Sequence, residues 1–79
     1  MKVIYSIDKS KAIPVNNIKL FEIFNIDEKK WSESSINKWL NKGNDFWIVE
    51  AYYAICTGDH TYVFSAATRE ECEEFIKNI

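Results

Sequence analysis

The sequence predicts a small α+β domain with the element order β-α-α-β-β-α, in which the helices pack mainly on one face of a three-stranded antiparallel or mixed sheet. Three observations support this class: an alternating apolar pattern near the N-terminus, a stretch of β-branched and aromatic residues at 46–56, and a capped amphipathic segment at the C-terminus. The chain has 79 residues, of which 47% are hydrophobic. We therefore expect residues 1–79 to form a single compact domain with one core.

The first predicted element is a strand over residues 2–8. Val3, Tyr5 and Ile7 fall on one side of the alternation, and polar residues fill most of the other side. A period of two is typical of a strand with one buried face. Residues 8–14 are then expected to be a polar connector.

Residues 17–25 carry two overlapping patterns. Leu20, Ile23 and Phe24 have the i, i+3, i+4 spacing of a helix, and an asparagine before them can cap it. The same stretch also alternates, with apolar residues at positions 18, 20, 24 and 26, as in a short strand. We favour the helix and keep the strand as the alternative.

A second helix is predicted between Ser32 and Gly43. Ser32 is a suitable N-cap, and Ile36, Trp39 and Leu40 form the apolar stripe. Gly43 follows the last turn, where the left-handed conformation of a helix end favours glycine.

A β-hairpin is predicted in the second half of the chain. Residues 46–56 are the most hydrophobic segment and contain neither glycine nor proline, which indicates a strand. Residues 57–60, which include His60, form the predicted turn, and residues 61–67 return as the second strand.

The final helix has the clearest signature in the chain. Thr68 and Glu71 have the spacing of a capping box. The apolar residues that follow at i, i+3, i+4 and i+7 are expected to face the core; they are Cys72, Phe75, Ile76 and Ile79.

The hairpin holds more apolar side chains than one sheet face needs. We expect helices to cover one face and a partner to cover the other, because uncovered apolar patches commonly mark interaction sites. The alternative is that the helices divide between both faces. The predicted partner-binding residues are Phe46, Ile48, Glu50, Tyr52, Tyr62, Phe64, Glu70, Glu73 and Glu74.

No pattern typical of a catalytic, cofactor or metal site is found. His60 has no nucleophile near it in sequence, and with Cys56 and Cys72 it matches no zinc spacing. Both cysteines are expected to be small buried residues. Two glycines are too few for a phosphate-binding loop or a dinucleotide fingerprint. We expect no enzymatic activity, no cofactor and no metal.

A nucleic-acid-binding regulator is an alternative. Residues 18–43 resemble a degenerate helix-turn-helix, with lysines at 29, 30, 38 and 42 available for phosphates. The spacing between Asn25 and Ile36 is longer than in the usual motif. The net charge of −2 also argues against general binding to phosphate backbones, so nucleic acid is not the favoured partner.

The favoured function is a non-catalytic protein-binding module. Residues 1–44 carry a net charge of +3 and residues 45–79 one of −5. The acidic part can imitate nucleic-acid phosphates towards a nucleic-acid-handling host or defence enzyme, as a small phage- or mobile-element-type stoichiometric inhibitor would. A self-associating structural protein, acting as a homodimer, is a further alternative. Without a signal peptide or a membrane span in the sequence, we expect a cytoplasmic location.

Overall fold

The structure is a computed structural model that describes residues 2–29, 31–35, 46–54 and 59–79. It is a small α+β fold, as the sequence predicts. A three-stranded antiparallel sheet forms its centre, and a second, two-stranded sheet and short helices pack around it.

The two-stranded sheet is an antiparallel pair of β1 (Val3–Tyr5) and β2 (Ala12–Pro14), with Ile4 opposite Ile13. A 3-10 turn, Val15–Asn17, follows β2. The predicted first strand is therefore shorter than residues 2–8 and lies outside the main sheet. The prediction that residues 8–14 are only a connector is wrong, because they contain β2.

The connection between β1 and β2 is organised by Asp8. Its Oδ1 accepts hydrogen bonds from the Ser6 hydroxyl at 2.7 Å and from the Ser10 backbone N–H at 3.1 Å. Lys9 takes a positive φ of 64° between them. An aspartate that bonds to nearby backbone in this way stabilises a tight turn, which allows such short strands to pair.

The central sheet has the order β3-β4-β5, where β3 is Leu20–Asn25, β4 is Trp47–Ala54 and β5 is Asp59–Ala66. All neighbours are antiparallel.

The predicted hairpin is confirmed as β4 and β5. Residues 55–58, which include Cys56 and half of the predicted turn, lie outside the described residues. His60 belongs to β5, so its assignment to the turn is wrong.

The helix favoured for residues 17–25 is also wrong, and the strand alternative is confirmed. Every residue of β3 pairs with β4, and Phe24 lies opposite Ile48. Pairing along a whole strand outweighs a local helical spacing, because tertiary contacts override weak propensities. Residues 18–43 resemble a helix-turn-helix in sequence, but the first helix of that motif would fall on β3, which is a strand.

The described helices are short. α1 (Ile26–Lys29) directly follows β3, and residues 33–35 are helical. The rest of the helix predicted between Ser32 and Gly43 lies outside the described residues.

The predicted final helix is confirmed as α2 (Arg69–Lys77). The Glu71 backbone N–H donates to Thr68 Oγ1 at 3.3 Å, and the Thr68 hydroxyl donates to Glu71 Oε1 at 3.1 Å. Thr68 therefore caps the helix, as the sequence predicts. Cys72 is fully buried, also as expected.

Apolar cores lie on both faces of the central sheet. On one face Val49 and Ala51 pack with Cys72 of α2. On the other face Phe24 and Ile48 form a smaller cluster. Ile7, Ile26, Trp31 and Tyr62 pack against this smaller cluster. Among the described residues, α2 packs on one face, and α1 with the segment after it contacts the opposite face. That helices cover mainly one face stays a prediction, because residues 36–45 lie outside the described residues.

An irregularity in β5 changes which side chains share a face. Val49 pairs with Phe64, whereas the next residue, Glu50, pairs with Tyr62, so Val63 is an extra residue in the ladder. A bulge of this kind interrupts the alternation of side chains. Phe64 therefore lies on the α2 face and Tyr62 on the opposite face, although they are two residues apart.

Candidate functional site

The most distinctive surface of the described residues is on the sheet face opposite α2, beside the smaller apolar cluster. We call it the open face. The register places its six side chains in two adjacent rows across the three strands. These residues are Leu20, Glu22, Glu50, Tyr52, His60 and Tyr62.

Glu50 lies at the centre of the open face. It is only 3% exposed, which is unusual for a carboxylate. Its Oε1 accepts a hydrogen bond from the Tyr52 hydroxyl at 3.0 Å, and its Oε2 lies 2.5 Å from Nδ1 of His60. Both oxygens therefore have partners, which compensates the cost of removing the carboxylate from water.

The carboxylate of Glu50 helps to raise the pKa values of the two tyrosines of the open face. The hydrogen bond to Glu50, together with burial and the negative charges of Glu50 and Glu22, raises the pKa of Tyr52 to about 12. Burial, and then the charge of Glu50, also raises the pKa of Tyr62. Both phenols are accordingly neutral at physiological pH and act as hydrogen-bonding surface groups.

Ring contacts hold the aromatic side chains in place. The centroids of Tyr52 and His60 are 5.2 Å apart, and those of His60 and Tyr62 are 6.3 Å apart. Trp31 packs edge-on to Tyr62 at 4.8 Å and to Phe24 at 5.7 Å. Aromatic pairs at these distances add to the stability gained from burial, so the open face adjoins a firmly packed edge.

The structure brings together only some of the predicted partner-binding residues. Glu50, Tyr52 and Tyr62 share the open face. Ile48 lies on the same side of the sheet but is fully buried in the smaller cluster, so it cannot contact a partner. Phe46, just before β4, is 47% exposed.

The remaining predicted residues lie on the other side of the sheet. Phe64 stacks on Phe75 of α2 with the ring centroids 4.4 Å apart. Glu70, Glu73 and Glu74 are exposed on α2. These acids therefore cannot form one continuous surface with Glu50, because α2 packs on the face that Glu50 avoids.

Sequence reasoning missed three residues of the open face. The favoured prediction assigns Leu20 and Glu22 to a helix and His60 to a turn. The alternation of residues 20–25 was the signal that could have located the first two. The pairing of His60 with Tyr52 follows from the two irregularities in the β4–β5 register, which no local pattern indicates.

No helix among the described residues is long and apolar enough to cross a membrane. Within the same part of the chain, no group of three or more histidine, cysteine, aspartate or glutamate side chains could hold a metal ion.

Comparisons with known proteins add no assignment. No family model, no curated protein and no solved structure matches this chain.

Proposed function

We propose that this chain is a non-catalytic protein-binding module that covers a site on a partner protein. The observation that carries the proposal is the open face, where the exposed Leu20 and two half-buried tyrosines surround a nearly buried carboxylate. Tyrosine and similar side chains dominate binding hot spots because they bury a large, rigid area and keep a polar group. Leu20, 51% exposed beside Tyr52, adds an apolar contact of the same kind.

The polar groups of the open face favour binding over catalysis. Both oxygens of Glu50 are engaged by neighbours, and the pKa of Tyr52, raised to about 12, lies far above neutral pH. A catalytic acid or base instead needs a pKa close to the working pH and access to its substrate. The network therefore serves to hold the surface in one shape.

Charge favours a basic partner surface. Glu22 is exposed on the open face, opposite the nearly buried Glu50, and offers its carboxylate to a partner there. Complementary charge speeds association and excludes wrong partners. A stoichiometric inhibitor of a nucleic-acid-handling enzyme, of the kind that mobile elements encode, would meet such a basic surface at the partner's substrate site. Glu70, Glu73 and Glu74 are not required for this contact.

Two neighbouring tyrosines provide the test. Tyr52 lies on the open face, whereas Tyr53 accepts a hydrogen bond from Lys11 Nζ at 3.2 Å, near the β1–β2 pair. Tagged wild-type protein and the Tyr53→Ala variant should capture the same protein from cells that naturally produce the chain. Tyr52→Ala should lose this capture while its circular dichroism remains that of the wild type.

Other outcomes would contradict the proposal. A dimer mass in light scattering that disappears with Tyr52→Ala would make the open face a self-association surface. A salt-dependent shift of duplex DNA would favour nucleic-acid binding. Equal capture by both tyrosine variants would exclude Tyr52 from the contact.

A further inference from the structure

A second surface lies on the α2 side of the sheet. It is a groove of about 720 Å³ between β1 and α2. Val3 and Tyr5 form one wall, Glu71 and Glu74 line the other, and Phe64 lies between them. The groove shares no residue with the open face.

The wall formed by β1 presents unpaired main chain. Val15 N–H donates to the Lys2 carbonyl and Ser6 N–H to the Lys11 carbonyl, so residues 2, 4 and 6 face β2. In an antiparallel pair, hydrogen-bonded and non-hydrogen-bonded positions alternate. The N–H and C=O groups of Val3 and Tyr5 therefore point away from β2, and no described residue pairs with them there.

The free part of this edge ends after Tyr5, because the main chain at Ile7 is already bonded to β5. Ile7 N–H, two positions beyond Tyr5, donates to the Tyr62 carbonyl of β5 at 2.9 Å. Beside the unpaired groups, the side chains of Val3 and Tyr5 are 38% and 52% exposed. An exposed edge with apolar side chains is a template for an added strand.

Charge in the groove indicates what the added strand carries. Lys2 and Lys9 line the groove on the β1 side, where Lys2 Nζ donates to the Asn78 carbonyl at 3.4 Å and Lys9 Nζ lies 5.7 Å from the centre of the Tyr5 ring. The α2 wall presents the carboxylates of Glu71 and Glu74, one oxygen of each of which accepts a hydrogen bond, from Thr68 and Asn78 respectively. A positively charged side chain beside α2 would complement this wall.

We propose that the groove binds an extended segment of a protein by strand addition to β1. The segment pairs its main chain with Val3 and Tyr5, places apolar side chains at alternate positions over Phe64, and directs a lysine or arginine towards Glu71 and Glu74. This site shares no residue with the open face, so its test does not depend on whether the proposed function is correct.

The test begins with a displayed library of random peptides selected on the full chain. Peptides with alternating apolar residues and a lysine or arginine should be enriched. A synthetic peptide from this set should bind Val3→Pro at least about tenfold more weakly, because proline removes an outward N–H and one hydrogen bond is worth about that factor.

Ala12→Pro is the matched control. Ala12 lies opposite Tyr5, and its N–H points away from β1, towards the other edge of the same pair. The peptide should bind this variant as it binds the wild type. Glu71→Gln with Glu74→Gln should weaken binding of the lysine- or arginine-containing peptide and leave a neutral version unaffected.

A change in the peptide tests the same contact in the unmodified protein. N-methylation at positions whose N–H faces β1 should abolish binding, and N-methylation at the alternate positions should not. Failure to enrich such peptides would overturn the proposal. So would equal binding by both N-methylated series, or binding that is lost with Tyr52→Ala and kept with Val3→Pro.

Discussion

The two faces of the central sheet differ in what covers them. On the α2 face, Val49 and Ala51 are sealed beneath Cys72 and the stacked rings of Phe64 and Phe75. Beyond the smaller cluster on the opposite face, the same strand β4 carries the nearly buried Glu50 and the half-buried Tyr52. The first face stabilises the fold through apolar packing, and the second maintains a polar and aromatic shape through hydrogen bonds.

This difference shows how a small domain can keep a buried carboxylate in a partly exposed surface without losing stability. A buried carboxylate is costly unless its oxygens are engaged. Glu50 meets this requirement with Tyr52 and His60, both from the same hairpin. The surface is therefore held by residues that are close in sequence, whereas the α2 face depends on contacts from the whole chain.

The largest expected effect comes from placing a serine on each face of β4 in turn and comparing the loss of stability. Val49→Ser leaves a cavity and a buried hydroxyl on the α2 face and should lower the free energy of unfolding by about 3 kcal/mol. Tyr52→Ser removes a half-buried ring and one hydrogen bond and should cost about 1 kcal/mol. Urea unfolding followed by circular dichroism measures both. Equal losses would mean that the two faces do not differ in this way.

A smaller effect separates the Glu50 network from an ordinary surface ion pair. His60→Ala removes one of the two partners of Glu50 and should cost about 1.5 kcal/mol. Glu73→Ala breaks the exposed pair with Arg69, whose atoms are 3.7 Å apart, and should cost less than about 0.5 kcal/mol. If urea unfolding gave the reverse order, the network would not stabilise the open face.

The cap of α2 should have an effect of about 1 kcal/mol. Thr68→Ala removes the acceptor for the Glu71 N–H and should lower the stability of the helix that covers the α2 face. Thr68→Ser, which keeps the hydroxyl, is the control and should remain close to the wild type. A Thr68→Ala variant with unchanged thermal and urea unfolding would show that this cap is not needed.

The smallest effect is confined to alkaline pH. The pKa of Tyr52 is raised to about 12 from the ordinary value of 10.0, so folding favours the protonated phenol. This contribution is fully present below pH 10 and should be lost as the pH rises towards 12. Ultraviolet titration should show the Tyr52 phenol ionising near pH 12, and Tyr52→Phe should remove this step. Tyr53→Phe should not, and an unchanged late titration in Tyr52→Phe would refute the assignment.

The parts of the fold with strong local signals could be predicted from sequence. The β-branched and aromatic residues of 46–56 predict β4, and the capping-box spacing of Thr68 and Glu71 predicts the start of α2. The strand β3 could not be assigned uniquely, because Leu20, Ile23 and Phe24 satisfy a helical spacing within an alternating stretch. Only pairing with β4 decides between the two.

The candidate site was less predictable for a different reason. The extra residue Val63 reverses the alternation of β5, so Tyr62 and Phe64 face opposite sides although a regular strand would place them together. The pairing of His60 with Tyr52 depends on the same register. Such irregularities arise from packing between strands, which a single segment of sequence does not contain.

A cross-linking comparison tests the role of the open face most directly. A photo-reactive amino acid would replace Leu20, which is exposed on the open face, or Glu70, which is exposed on α2 and does not line the groove. In cells that naturally produce the chain, illumination should link the Leu20 variant to one discrete protein and leave the Glu70 variant unlinked. Cross-links from Glu70 alone, or from neither position, would contradict a docking role for the open face.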